Sequence, residues 1–145
     1  MLDLGAGSGL VAIAAVKAGA RHVIAAEIDP FAVAAIRLNA ATNGVGLGVI
    51  KRDITVGPPP DVDVVLAGDV FYDPAVSTRM LPFLDRCLAA GIDVLVGDPG
   101  RRDRPAERLR ELAAYPVGDF GEPNRDGFVF ALLPPLSVST APVPV

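Results

Sequence analysis

A glycine-rich loop near the start of the chain is the first feature whose residue types could do chemistry. Gly5, Gly7 and Gly9 alternate with small residues, directly after the short run Met1–Leu4 and before a helix-like segment. Glycines let the backbone turn sharply and approach a ligand closely, and a helix that follows offers unpaired N–H groups at the positive end of its dipole. Such a loop could bind a dinucleotide, a nucleoside or no ligand.

A carboxylate at the end of the next predicted strand narrows these possibilities. Glu27 follows the loop by about twenty residues, the spacing at which an acidic residue in nucleotide-binding βαβ units accepts hydrogen bonds from ribose hydroxyls. Each such bond contributes roughly 1.5–3 kcal/mol. The alternative is a solvated charge at a strand end. A nicotinamide-dependent dehydrogenase is disfavoured, because its loop requires Gly or Ala where this chain has Leu10.

A second group of polar and aromatic residues follows the largely apolar run Val62–Ala67. It consists of Asp69, Phe71 and Tyr72. Ligands of open parallel sheets bind beyond the carboxyl ends of the strands, so we expect Asp69 and Tyr72 to face the same site as the loop. Asp69 could orient an amine, and the aromatic rings could flank its alkyl stem or its cation. For Phe71, packing in the core is an equal alternative.

The elements that must position these residues follow from alternating apolar runs and helix-like segments, which predict βαβ units and a parallel sheet. Strands are predicted at Met1–Leu4, His22–Ala26, Leu47–Lys51, Val62–Ala67 and Ile92–Val96. Helices are predicted at Leu10–Ala18, from Pro30 to about Thr42, at Ala75–Ala90 with a kink or restart at Pro82, and at Pro105–Ala114. Asp29 is predicted to cap the second helix. Tyr115–Phe120 and Phe128–Leu133 are predicted to form a closing antiparallel pair.

Composition limits the classes of function. The 145 residues fit one core domain, residues 1–133, followed by a Pro-rich tail, residues 134–145, that we expect to be disordered. A net charge of −4 argues against a broad nucleic-acid surface, and no apolar run is long enough to cross a membrane. The single cysteine, Cys87, and the single histidine, His22, leave no metal cluster. We expect a cytoplasmic monomer. The basic cluster at residues 101–104 is interpreted as a solvated loop or a contact for an acidic protein.

The loop sequence resembles a known motif. From Asp3 it reads D-x-G-x-G-x-G, which resembles motif I of the class I methyltransferases that use S-adenosylmethionine, and residues 25–30 resemble the segment that follows it there. This resemblance implies a Rossmann-like, doubly wound, mostly parallel α/β sheet with a short first strand and a closing antiparallel strand. It also implies these cofactor-binding residues: Asp3, Gly5, Gly7 and Gly9 on the methionine side, Glu27 on the ribose, Ile28 and Asp53 at the adenine, and Asp69. Capping of its own loop is an equal alternative for Asp53.

The segment from Asp69 to Tyr72 resembles the D-x-x-F/Y signature of seven-strand protein lysine methyltransferases. From Met1 to about Ala114 the chain is similar to bacterial relatives of the enzyme that methylates the β subunit of electron transfer flavoprotein. The resemblance implies N-methylation of a protein lysine, of the flavoprotein or ribosomal-protein type, with Asp69 and Tyr72 as catalytic residues. A small-molecule N-methyltransferase, with a nicotinamide-like amine or pyridine as acceptor, and a non-catalytic binding module are the alternatives.

The first predicted strand begins only two residues before Asp3. The family ordinarily carries an N-terminal extension that covers the cofactor, so we expect an N-terminally truncated core. An uncovered cofactor would be wetter, and we expect weak cofactor binding and low turnover from this chain.

Overall fold

The sheet that organises the molecule is seen in a computed structural model that describes residues 1–118 and 125–135. Its seven strands within those ranges are β1 (Leu2–Leu4), β2 (Ile24–Glu27), β3 (Gly48–Lys51), β4 (Val64–Gly68), β5 (Asp93–Asp98), β6 (Leu109–Val117) and β7 (Arg125–Leu132). The α-helices of the same ranges are α1 (Leu10–Lys17), α2 (Pro30–Thr42) and α3 (Pro74–Ala89). The strand order is β3-β2-β1-β4-β5-β7-β6.

The direction of the strands brings the candidate functional residues to one edge of this sheet. β1 to β5 are parallel, whereas β7 pairs antiparallel with both β5 and β6. The carboxyl ends of β1, β2, β4 and β5 therefore lie along one edge, where the glycine loop, Glu27, Asp69 and Asp98 are found. The predicted α/β fold class, mostly parallel with a closing antiparallel strand, is confirmed.

Alternation along β1 divides the apolar interior between the two faces of the sheet. Leu2 and Leu4 point to one face and join a cluster that includes Phe83 and Leu84 of α3. On the other face, a smaller cluster packs α1 and α2 against β2. Asp3 lies between Leu2 and Leu4 in sequence and so points to the α1 side. Helix α3 therefore packs on the face of the sheet opposite α1 and α2.

The helix predicted at Pro105–Ala114 was wrong. A single 3-10 turn, Ala106–Arg108, is followed directly by β6. The Arg, Glu, Leu and Ala residues of this segment favour a helix locally, but pairing with β7 along β6, with one register shift between Glu111 and Ala113, overrides that weak preference. Pro116 fits because β6 is an edge strand, where a missing N–H need not break a ladder bond.

The other helices and the first five strands differ from prediction by at most two residues at their ends, whereas β6 begins at Leu109 instead of Tyr115 and β7 at Arg125 instead of Phe128. Asp29 caps α2 as predicted, its Oδ1 accepting from Phe31 N at 2.6 Å and from Ala32 N at 3.0 Å. α3 is one continuous helix that includes Pro82, so a restart there is excluded. The closing antiparallel pair is confirmed for β6 and β7. Phe120 and the tail from residue 136 onward lie outside the described residues. Within residues 1–118 and 125–135, no helix has the length and apolar character needed to span a membrane.

Gly9 provides a test of how tightly α1 and α2 pack. Its φ is 83°, and a Cβ built there would lie 3.2 Å from Cγ1 of the fully buried Ile36. We expect Gly9→Ala to lower the free energy of unfolding by roughly 1–2 kcal/mol for the left-handed backbone and by about 1–3 kcal/mol more for overpacking. Urea unfolding measures the loss.

Gly44→Ala is the matched control for this substitution. Gly44 also has a positive φ, 63°, but nothing lies within 4 Å of a Cβ placed there. It should show the backbone cost alone, roughly 1–2 kcal/mol. Equal losses in the two variants would contradict the inferred contact with Ile36.

Candidate functional site

Glu27 holds the glycine loop through backbone hydrogen bonds. Its Oε2 accepts from Gly7 N at 2.9 Å, and its Oε1 accepts from Ile28 N at 2.6 Å and from Asp29 N at 3.0 Å. Gly7 has a φ of 53°, and a Cβ built there would meet nothing within 4 Å, so the loop is open on that side. The half-buried Glu27 carboxylate thus borders an open surface of the loop, and its Oε2, which accepts one backbone hydrogen bond, can accept one more.

Asp3 supports the same loop from inside the sheet. It is only 2% exposed, and its Oδ2 accepts a hydrogen bond from Ala12 N at 2.9 Å. Gly9 occupies the N-cap position of α1 and has no side chain that could cap it, so Asp3 satisfies a first-turn N–H from the neighbouring strand. Burial raises the pKa of Asp3 to about 6; the hydrogen bond from Ala12 opposes this rise, and the negative charge of Glu27 adds to it.

The two residues predicted at the adenine have different surroundings. Ile28 is 59% exposed beside Glu27, which leaves its side chain free to pack on a flat ring. The Asp53 carboxylate accepts from both the backbone N–H and the hydroxyl of Thr55, at 2.9 and 2.6 Å, and lies 3.7 Å from Arg79. These hydrogen bonds lower the pKa of Asp53. Asp53 therefore caps its own loop, and its contact with adenine stays a prediction.

Asp69 has an unusual backbone conformation at the end of β4. Among the residues that the structure describes, it is the one non-glycine residue with a positive φ, 50°. Its backbone N–H donates to the carbonyl of Gly97 at 2.7 Å, across to β5. Left-handed backbone costs most residues energy, although Asp tolerates it better than most, and such outliers cluster at functional sites. This conformation therefore favours a functional interpretation of Asp69.

The residues after Asp69 alternate between the core and solvent. Val70 and Phe71 are 3% and 0% exposed and belong to the main apolar cluster, whereas Tyr72 is 59% exposed. Phe71 therefore packs in the core, and its suggested contact with a substrate stem is wrong. Tyr72 lies at the same edge as Asp69 with its ring accessible. Its catalytic role stays a prediction.

The loop after β5 brings Arg101, which the sequence indicated only as part of a basic cluster, into contact with Asp69. Arg101 forms a bidentate ion pair with Asp69, Nε to Oδ1 at 2.8 Å and Nη2 to Oδ2 at 2.7 Å. The buried Asp98 shapes this loop, since its Oδ1 accepts from Gly100 N at 2.7 Å and from Arg101 N at 2.6 Å. The contact could have been predicted from the expected pairing of β4 with β5, because parallel pairing places the loops that follow these two strands next to each other.

The raised pKa of Asp3 predicts a pH-dependent contribution to stability. Because the folded pKa, about 6, exceeds the unfolded value of 3.8, the folded protein retains a proton that the unfolded chain releases. The contribution of Asp3 therefore falls as pH rises from 3.8 to about 6, by up to roughly 3 kcal/mol. We expect Asp3→Asn to remove this fall, as measured by urea unfolding at a series of pH values. Equal pH slopes in the two proteins would contradict it.

Comparison with known proteins finds similarity to protein methyltransferases. A family model described as ribosomal protein L11 methyltransferase (PrmA) matches residues 1–70. The electron transfer flavoprotein beta subunit lysine methyltransferase of Rattus norvegicus is 34% identical over 133 residues, which is 88% of this chain and 52% of that protein. The ribosomal protein L11 methyltransferase of Geobacter sulfurreducens is 43% identical over 121 residues, 83% of this chain and 36% of that protein. The chain spans about half the length of the flavoprotein-type relatives it matches.

Solved structures have the same fold. The ribosomal protein L11 methylase of Lactobacillus delbrueckii subsp. bulgaricus matches with a TM-score of 0.64 and 23% identity, over 91% of this chain and 69% of that one. The tRNA (uracil-54, C5)-methyltransferase of Pyrococcus abyssi, solved with S-adenosyl-L-homocysteine, matches with a TM-score of 0.68 and 18% identity, over 91% of this chain and 33% of that one. With the strand order and the glycine loop, these similarities show that the chain has the fold of the class I, seven-strand methyltransferases.

Proposed function

We propose that this chain is the cofactor-binding core of an S-adenosylmethionine-dependent N-methyltransferase that modifies a lysine of a protein. The observation that carries the proposal is the joint placement of Glu27, the last residue of β2, and Asp69, which directly follows β4, at the carboxyl ends of parallel strands in one sheet. Relatives named as lysine methyltransferases of the electron transfer flavoprotein beta subunit share this part of the chain. A flavoprotein or ribosomal-protein lysine is the proposed type of acceptor.

The residues at the glycine loop fit S-adenosylmethionine. Gly7 leaves the loop surface open, and the exposed Ile28 adjoins the half-buried Glu27, so a ribose and its base could lie against them together. Asp3 and Glu27 make this end of the sheet negative, which suits a positively charged ligand. When bound, the cofactor supplies an electrophilic methyl group on a positive sulfur. In this proposal Glu27 binds the ribose, and Asp3 with Gly5, Gly7 and Gly9 borders the methionine part.

Asp69 and Tyr72 would act on the acceptor amine. An amine with a pKa near 10.4 must lose a proton before it can attack, at a cost of about 4.6 kcal/mol at pH 7. Asp69 would orient the nitrogen through a hydrogen bond, and the exposed Tyr72 ring would flank the alkyl stem. Most of the acceleration would come from alignment, for which good positioning supplies roughly 7–11 kcal/mol. No histidine base is needed, since the proton can leave to water.

The proposal also covers the oligomeric state, the cellular location and the type of partner. We propose a monomer that acts in the cytoplasm on a protein partner and not on nucleic acid. The net charge of −4 supports this choice of partner, and the single, fully buried Cys87 is typical of a chain that does not depend on disulfides.

Glu27→Gln tests the cofactor site. Gln keeps the shape but loses the charge and one acceptor oxygen, so affinity for S-adenosylhomocysteine should fall roughly 10- to 100-fold, as measured by calorimetry. Asp93→Asn is the control, because Asp93 begins β5 and lies at the opposite edge of the sheet. An unchanged affinity in Glu27→Gln, with the thermal midpoint preserved, would count against the site.

A methyl-transfer assay tests the reaction. The protein, labelled cofactor and a bacterial lysate are incubated beside a panel of amines and pyridines, and modified lysines are located by mass spectrometry. We expect labelled protein lysine, and we expect Asp69→Asn to lower kcat at least tenfold. Labelled small molecules alone would indicate the small-molecule alternative. No label, despite intact cofactor binding, would favour a non-catalytic module.

A further inference from the structure

The Asp69–Arg101 ion pair changes the charge that an incoming amine would meet. One guanidinium occupies both oxygens of the Asp69 carboxylate, at 2.8 and 2.7 Å. Such a fork-to-carboxylate pair has fixed geometry and no net charge. The acceptor end of the site therefore presents a neutral pair where the sequence predicted a lone carboxylate.

The loop that carries Arg101 is fixed on both sides of that residue. Asp98 is 3% exposed and holds the backbone N–H groups of Gly100 and Arg101. Arg104 donates through Nη1 to the carbonyl of Arg101 at 2.8 Å. The partner is equally constrained, because Asp69 has a positive φ and is tied to Gly97. These contacts orient the guanidinium and the carboxylate toward each other.

An unpaired carboxylate would oppose amine methylation. A negative charge beside an amine stabilises the ammonium form and raises the pKa of that amine, whereas a neutral ion pair largely does not. The ammonium has no lone pair and cannot attack a methyl group. A carboxylate that positions an amine nucleophile thus performs better when a fixed cation balances its charge.

We propose that Arg101 is a positioning and charge-balancing residue, which pairs with Asp69 so that a substrate amine binds beside the carboxylate in its unprotonated form. The proton released by the amine leaves to water. This role rests on the proposed lysine methylation. Within the described residues, the elements that flank the pair carry further charged or titratable groups: Asp98, Arg102, Asp103 and Arg104 at the end of β5 and in the loop after it, Tyr72 and Asp73 before α3, and Asp3 on β1.

The first test measures charge at the site without any reaction. Butylammonium, a mimic of the lysine side chain, is titrated at pH 7 into protein saturated with S-adenosylhomocysteine, and binding is followed by NMR shifts of the Tyr72 ring. We expect Arg101→Gln to bind it about tenfold more tightly than the natural protein, because Asp69 is then unpaired. Arg102→Gln, on the same exposed loop, is the control and should leave affinity unchanged. Equal affinity in Arg101→Gln and the natural protein would overturn the proposal.

The second test follows the acceptor amine through the pH profile of kcat/KM. In Arg101→Gln the rise that reports amine deprotonation should move up by about one pH unit, so that activity falls about tenfold at pH 7 and recovers at high pH. Arg101→Lys retains a cation and should restore most of the profile.

The outcomes separate this proposal from the function on which it rests. A uniform loss at every pH in Arg101→Gln, without a shifted profile, would mean that Arg101 only stabilises the loop, and it would overturn the proposal. If the natural protein transfers no methyl group, the proposed function fails, and butylammonium binding still decides whether Arg101 balances Asp69. Arg101→Lys provides the same comparison should Arg101→Gln fold poorly.

Discussion

Two carboxylates that accept backbone hydrogen bonds hold the turn between β1 and α1, and the remainder of the site depends on that turn. Gly9 cannot cap α1, so Asp3 does so through Ala12 N, and Glu27 fixes the other side of the turn through Gly7 N. Burial of Asp3 disfavours its charged form, and this raises its pKa. The same arrangement leaves the rim of the turn both open and negative, which are the two properties that a flat, positively charged nucleoside requires.

The second half of the site is built by the pairing of β4 with β5. That pairing aligns Gly68 with Gly97 and sets the loops after both strands side by side. Asp69 projects from one loop and Arg101 from the other, with Asp98 organising the turn between β5 and Arg101. The main apolar cluster lies directly beneath, where Phe71 anchors the segment between Asp69 and Tyr72. The core and the neighbouring strand together therefore hold the segment from Asp69 to Tyr72 in place.

Sequence predicts best the features that rest on neighbouring residues. The start of α2 at Asp29 and Pro30 and the glycine loop are local in the chain, and both were found within a residue or two. The segment at residues 105–114 was misread because its pairing with β7 is non-local and outweighs its own helix preference. The Asp69–Arg101 contact was missed for a similar reason, since it joins residues 32 positions apart. It also involves a positive φ at Asp69, which the sequence pattern does not predict.

The central position of the three-residue strand β1 has a consequence for the order in which the chain can fold. One side of β1 pairs with β2, so Leu2 finds Ile24 after only a short loop is closed. Its other side pairs with β4, where Leu2 is opposite Val65, and a far longer loop must be closed before those bonds form. During synthesis, this side of β1 therefore stays unpaired until more than sixty further residues have left the ribosome. Until then its exposed N–H and C=O groups could pair with another chain, and a chaperone that covers them would prevent this.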